Sequence, residues 1–220
     1  MQNIRRFPLT TLFLRAIKKI MLRNNLTLIS CLLLLLLFVP VLASSYFITD
    51  KKADEPEKIQ WSLDRPLFWS DFKGVRDSID YGQEEASVRT RTELLTSVTG
   101  DKIVFLVRCY FVPETSWSVT EDSSLLVHEQ MHFNLAEYYA RVLRKQLSEA
   151  EYLRSDSLKD KVTDIYMEVH NIEYNKQQKY DTETNHAKSE IDQLRWNAYI
   201  QSLLISQEAY SNPEIIVYKK

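Results

Sequence analysis

Hydrophobic residues change their spacing several times along this chain, and each change marks a different kind of segment. From Leu26 to Ala43 they run almost unbroken, with leucine at every position from Leu32 to Leu37 and no charged residue between Asn25 and Asp50. About 18 such residues just cover a bilayer core of roughly 30 Å. Residues 49–59 are charged, contain Pro56 and have no period, which predicts a linker. From Ile59 the text becomes β-like. Ala86 to Val98 is rich in Val and Thr, and Ile103, Phe105, Val107, Cys109 and Phe111 alternate with other residues up to Val112. Thr99-Gly100-Asp101-Lys102 between the two runs predicts a hairpin turn.

After Pro113 the pattern predicts helices to the end of the sequence. Thr120 or Ser118 is the expected cap of a first helix reaching about Ala150, with Glu121 and Asp122 in its first turn. A second is expected over roughly Ser157 to Lys176. A third follows His186, its core stripe formed by Ala187, Ile191, Leu194 and Ala198. Between the last two, Lys179 to Asn185 reads as a polar turn. Strands first and helices after predict an α+β domain: a small antiparallel sheet followed by three helices.

Charge divides the chain. Arg5, Arg6, Arg15, Lys18, Lys19 and Arg23 face no acidic residue before Asp50, so against a net charge of −2 the rest carries −8. An acidic body argues against nucleic acid as a partner. The basic head before the apolar run predicts a cytoplasmic residue 1–25 segment, a transmembrane anchor or signal over 26–48, a linker over 49–59 and an extracytoplasmic domain over 60–220. Val41-Leu42-Ala43 before Ser44 has the small-residue look of a cleavage site, and Met21 would begin a well-proportioned signal. Either the domain stays on the cell membrane as a single-pass protein or it is exported to the envelope. Cys31 lies in the apolar run, which leaves Cys109 alone in the body and no bridge there.

The candidate chemistry lies in His128-Glu129-Gln130-Met131-His132 on the first predicted helix. Residues four apart lie about 40° apart around a helix and roughly 6 Å along it. His128 and His132 can therefore hold one metal ion, and zinc favours imidazole nitrogen. Glu129 points one residue round, toward a metal-activated water rather than the metal, as a general base would. At 100° per residue both histidines interrupt an otherwise apolar stripe of Leu125, Leu135, Ala136, Tyr139, Val142 and Leu143. A cation would satisfy polar groups that are costly to bury alone. Two core histidines bonded to carbonyls are the plainer alternative. Glu137 projects to the opposite side and is excluded as a third ligand. His170 sits in a charged stretch, where exposure is its ordinary explanation. His186 is the expected third ligand, with Glu190 and Asp181 in reserve. Trp69, Trp117 and Trp196 are expected in the core.

These residues also fall into a wider pattern. Trp69-x-Asp71-Phe72-x-Gly74, Ser116-Trp117, Leu126-x-His128-Glu129-Gln130-x-His132-Phe133 and Tyr180-Asp181-x-x-Thr184-x-His186, with Gln193 and Trp196 beyond, span about Trp61 to Tyr199. In these motifs the body resembles the bacterial domain of unknown function 922 family, described as zinc-dependent proteases. The resemblance implies a zincin-like fold, zinc held by His128, His132 and His186, and Glu129 as general base. Tyr180 could donate to the developing oxyanion, and Asp181 could orient a ligand imidazole. The family pattern continues His-Gly where this chain has His186-Ala187. If that glycine serves a positive φ, the turn must differ here. The expected function is a zinc-dependent metallopeptidase acting on a peptide or protein outside the cytoplasmic membrane, with an amide of the cell wall as a variant target. The alternative is a non-catalytic envelope domain whose metal is structural or lost.

Overall fold

The computed structural model describes residues 57–76, 84–154 and 157–220. The basic segment and the anchor or signal expected before residue 49 lie outside the described residues. Among those described, no helix is long and apolar enough to cross a membrane. Among the described residues the architecture is α+β, with small antiparallel sheets and three helices.

The alternating run forms the centre of the sheet. Strand β3 (Thr90–Thr99) pairs antiparallel with β4 (Lys102–Phe111) across a two-residue turn, Thr99 opposite Lys102. Gly100 takes φ +60°, a conformation that glycine adopts without steric penalty. A short strand β1 (Ile59–Gln60) pairs with the far end of β4, opposite Phe111 and Tyr110. The inward residues of β4, from Ile103 to Phe111, are fully buried or nearly so.

Along that same edge of β4, residues 102–106 pair with a strand over Glu214–Tyr218, where the helical pattern was expected to continue. Asn212-Pro213 stops helical continuation, and the β-branched Ile-Ile-Val that follows fits an edge strand. A separate ribbon pairs β2 (Ala86–Ser87) with β5 (Trp117–Ser118), which makes the C-terminal strand β6.

Helix α1 (Ser123–Glu149) lies across the inner face of the sheet. Its cap is Asp122, whose carboxylate accepts the N–H groups of Ser124 at 2.8 Å and Leu125 at 3.0 Å, rather than Thr120 or Ser118. Glu137 is turned away from the histidines, as expected, and is buried between Arg141 and Arg144. Arg144 also donates to the carbonyls of Val107 and Tyr210, tying the segment before β6 to the helix.

Helix α2 spans Leu158–Thr184, a full two turns beyond the expected end near Lys176. The Lys179–Thr184 stretch is thus helical, with Tyr180 and Thr184 facing inward one turn apart. Asn185 ends the helix in the left-handed region. Helix α3 (Glu190–Ser206) buries Gln193, Trp196, Ile200 and Leu204. Its expected core stripe faces out instead, with Ile191 80% and Leu194 63% exposed.

The Trp69–Gly74 motif braces the wall beside α1. Asp71 accepts two hydrogen bonds from Arg65, both 2.7 Å, and one from the Phe68 N–H. A Cβ on Gly74 would lie 2.8 Å from the Ser116 carbonyl oxygen, which the Gly74 N–H already bonds at 2.8 Å. Ser116 in turn accepts the Arg89 N–H on its hydroxyl, so this close approach fixes the strand that follows β2. Gln130 accepts the Leu67 N–H at 2.7 Å and thereby docks the same segment on α1.

Candidate metal centre

Three elements build the centre. Helix α1 supplies His128, Glu129 and His132, the end of α2 supplies Asp181, and α3 supplies the amide that holds His128. The extension of α2 is what brings Asp181 into range. Its Oδ1 lies 3.2 Å from His128 Nε2 and 2.7 Å from His132 Nε2, and the two Nε2 atoms are 3.1 Å apart. A tetrahedral zinc with donors at 2.0–2.1 Å separates neighbouring donor atoms by about 3.3 Å. The triangle is close to that size.

Hydrogen bonds on the far side of each ring decide which nitrogen faces the triangle. His128 Nδ1 lies 3.0 Å from Gln193 Oε1, and His132 Nδ1 lies 2.7 Å from Gln177 Oε1. Each amide is oriented by its own NH2 group. Gln193 donates to the Tyr180 oxygen and to Asn197 Oδ1, both at 2.6 Å, and Gln177 donates to the His132 carbonyl at 3.2 Å. An amide oxygen only accepts, so both imidazoles carry their proton on Nδ1 and turn an Nε2 lone pair inward. With both rings neutral, two lone pairs and a carboxylate oxygen converge without a donor among them. Such a set calls for a cation. The group His128, His132 and Asp181 is the one cluster of metal-capable donors among the described residues.

With no cation between them, Asp181 draws a proton onto the inner nitrogen of His132, a proton that a bound cation would displace. Burial lowers His128, whereas for His132 the bond and charge of Asp181 outweigh burial and lift it to about 9. Burial alone would raise Asp181, but hydrogen bonds from both histidines hold it far below the usual carboxylate range. Glu129 is buried on the next face of α1 and accepts the Val88 backbone N–H, while burial pushes it up to about 7.

His186 does not join the donor triangle. Asn185, His186 and Ala187 all have positive φ, and the His186 N–H bonds the Asp181 carbonyl at 3.0 Å. The turn therefore exposes the His186 ring at the cavity wall while Asp181 takes the third corner. Ala187, at φ +68°, adopts the left-handed backbone that glycine takes without strain. Glu190 opens α3 and is also outside the triangle.

Tyr180 is fully buried, its ring stacked on His128 at 4.5 Å between centroids. Its hydroxyl donates to the His128 carbonyl at 3.3 Å and accepts from Gln193, so it braces His128 rather than facing the cavity. His170 is exposed at the cavity rim and stacks on Tyr166. Trp117 and Trp196 are buried as expected; Trp69 is half-buried and packs on Phe72.

No family model, curated protein or solved structure matches this chain. The likeness to the 922 family thus rests on the motifs alone, and the site stands on its own geometry.

A cavity of about 800 Å³ opens over the centre, between the 84–90 segment and the second half of α2. His128, Glu129, His132 and Asp181 all reach it. Two features of the site have no clear mark in the sequence. Gln177 and Gln193 are ordinary helix residues by type, and only the second lay in a motif. The Val88 N–H that Glu129 accepts is backbone and leaves no trace in residue type.

Proposed function

We propose that this chain is a zinc-dependent metallopeptidase whose His128, His132 and Asp181 hold the ion, with the catalytic domain outside the cytoplasmic membrane. The observation that carries the proposal is the inward-facing lone-pair triangle, held by Gln177 and Gln193, with a buried carboxylate beside it and a cavity above it. Two imidazoles and one carboxylate suit zinc, and three protein donors leave a coordination position open. When bound, zinc supplies Lewis acidity to water and to a carbonyl oxygen.

The chain supplies the rest. Glu129 lies in the cavity wall next to His128 without being a ligand, so its carboxylate is free to take a proton from the attacking water and pass it to the leaving amine. The Val88 N–H holds that carboxylate on the cavity side. Gln193 and Tyr180 fix the ring of His128, and Gln177 fixes that of His132. Placement outside the membrane follows from the charge asymmetry around the apolar run of residues 26–43.

Metal analysis of the full chain tests the ligand set. About one zinc per chain is expected, lost in His128→Ala and Asp181→Ala and kept in His186→Ala. Glu129→Gln should keep the metal and lose hydrolysis of a peptide library. Hydrolysis at the wild-type rate in Glu129→Gln would refute the general base. Metal retention in Asp181→Ala would refute the third ligand. Zinc bound at full occupancy with no peptide cleaved would favour the structural-metal alternative.

A further inference from the structure

Helix α3 has a second face that the centre does not use. At 100° per residue Ile191, Leu194, Ala198 and Ile205 fall within about 60° of its circumference, on the side away from Gln193, Trp196, Ile200 and Leu204. All four are exposed, Ile205 by 74%. From Ile191 to Ser206 the helix carries one acidic residue, Asp192, and Arg195 is paired with it. Beside the stripe, Arg195 and Tyr199 meet Lys176 and Lys179 of α2 round a cavity of about 270 Å³. Lys176 lies over the Tyr199 ring at 5.5 Å, and Lys179 is 3.6 Å from Glu183. Three cations thus gather against two carboxylates, on a body whose net charge is negative.

Trp61 follows directly on β1, where the chain enters the domain. Arg141 lies 5.3 Å over its ring and donates to the Leu204 carbonyl at 2.9 Å, so the entry and the C-terminal end of α3 are one side chain apart. The exposed stripe therefore ends beside the point where the tether from the apolar run arrives. Residues 44–56 form that tether, which reaches at most about 45 Å. A second copy could also cover an apolar stripe, but a stable pair needs about 20–30 residues a side. A lipid surface needs far fewer, because a tether already holds the domain at high effective concentration beside it.

We propose that α3 lies along an anionic membrane surface, with Ile191, Leu194, Ala198 and Ile205 among the upper acyl chains and Lys176, Lys179 and Arg195 on lipid phosphates. An apolar face flanked by basic side chains is what an interfacial helix requires. Lysine and arginine reach headgroups while their stems stay in apolar surroundings, and tyrosine suits the boundary between the two. Gln193, on the opposite face, holds His128 throughout, so one helix serves both the centre and the lipid. The inference rests on the membrane part of the proposed function and on none of its peptide chemistry.

The test uses the full chain in vesicles of phosphatidylcholine and phosphatidylglycerol whose acyl chains carry bromine, a contact quencher. A fluorophore is attached at Ala198→Cys or at Leu95→Cys, the latter on the outer face of the sheet and 60% exposed. Both are made in a Cys31→Ser background, Cys109 being buried. Bromine should quench the label at 198 and spare the label at 95. Adding Leu194→Asp and Ile205→Asp should abolish the quenching, and phosphatidylcholine alone should weaken it. Equal quenching at the two positions, or none at 198, would overturn the docking, and that comparison leaves the rest of the stripe intact. A label at 198 shielded from aqueous iodide yet not reached by bromine would also overturn it, by showing a second copy on the stripe. Quenching that is the same with and without phosphatidylglycerol would overturn the phosphate contact. Carbonate extraction separates the docking from the anchor. Quenching at 198 in a chain that carbonate releases keeps the docking and sinks the anchor; a chain that resists extraction without quenching at 198 keeps the anchor and sinks the docking.

Discussion

Gln193→Leu isolates the contribution of one amide to the centre. The side chain is 7% exposed and makes three bonds, accepting from His128 Nδ1 and donating to the oxygens of Tyr180 and Asn197. Leucine removes all three at nearly constant volume. The His128 Nδ1–H then has no acceptor in a buried site, a loss of about 1–3 kcal/mol. The ring can recover by moving its proton to Nε2 or by rotating, and either change removes a lone pair from the triangle. Partners of this kind typically account for about 10–100-fold in metal affinity, equivalent to about 1.4–2.8 kcal/mol.

A competition titration against a zinc chelator, run on wild type, Gln193→Leu and Gln193→Glu, reads this directly. Glutamate keeps an acceptor for Nδ1–H but donates nothing to Tyr180 or Asn197. The expected order of zinc affinity is wild type and Gln193→Glu close together, with Gln193→Leu weaker by at least about tenfold. Urea unfolding of the metal-free chains checks that the leucine variant is folded. A folded Gln193→Leu that binds zinc as tightly as wild type would refute the argument that the amide sets the tautomer.

Other consequences follow from particular residues. Ala187→Gly should stabilise the chain by about 1 kcal/mol in urea unfolding, because a Cβ at positive φ is strained; a destabilised variant would mean the turn is held differently. Tyr180→Phe should weaken zinc binding and lower stability by about 1 kcal/mol, through the bonds its hydroxyl makes to His128 and Gln193; a fall in kcat with zinc affinity intact would return the hydroxyl to an oxyanion role. Glu173 is raised in the folded state, so its neutral form is favoured there and its contribution is complete below the ordinary carboxylate range, then lost as pH rises through about 7. Glu173→Gln should therefore gain stability over wild type between pH 5 and pH 8, by up to about 3 kcal/mol, and a pH-independent difference in urea midpoints would contradict the assignment.

Much of the framework was legible because it obeys one period at a time. The alternation of Ile103 to Phe111 has a single inward face, and the hairpin turn is marked by Gly100. The histidine pair was legible because His128 and His132 share a stripe with Leu135 and Tyr139 on a long helix. The end of α2 was not, since between Val169 and Asn185 only Tyr180 and Thr184 are buried, and threonine is a weak helix former. That spacing of four was the available signal that Asp181 is helical. Helix α3 carries two apolar stripes, one with Ile191 and Leu194 and one with Trp196, Ile200 and Leu204, and periodicity alone does not rank them. What selects the second is Gln193, which shares its face and is needed beneath His128.

Both imidazoles are bracketed by primary amides, a neutral choice where a carboxylate is the commoner neighbour of a ligand histidine. An amide neither gains nor loses a proton across the range in which proteins stay folded. The aim of the two rings is therefore insensitive to acidity, whereas an aspartate or glutamate in either place would let go of its ring once acid neutralised it. Any acid sensitivity of this centre has to arise inside the triangle or in the cavity, never in the scaffold that points the rings.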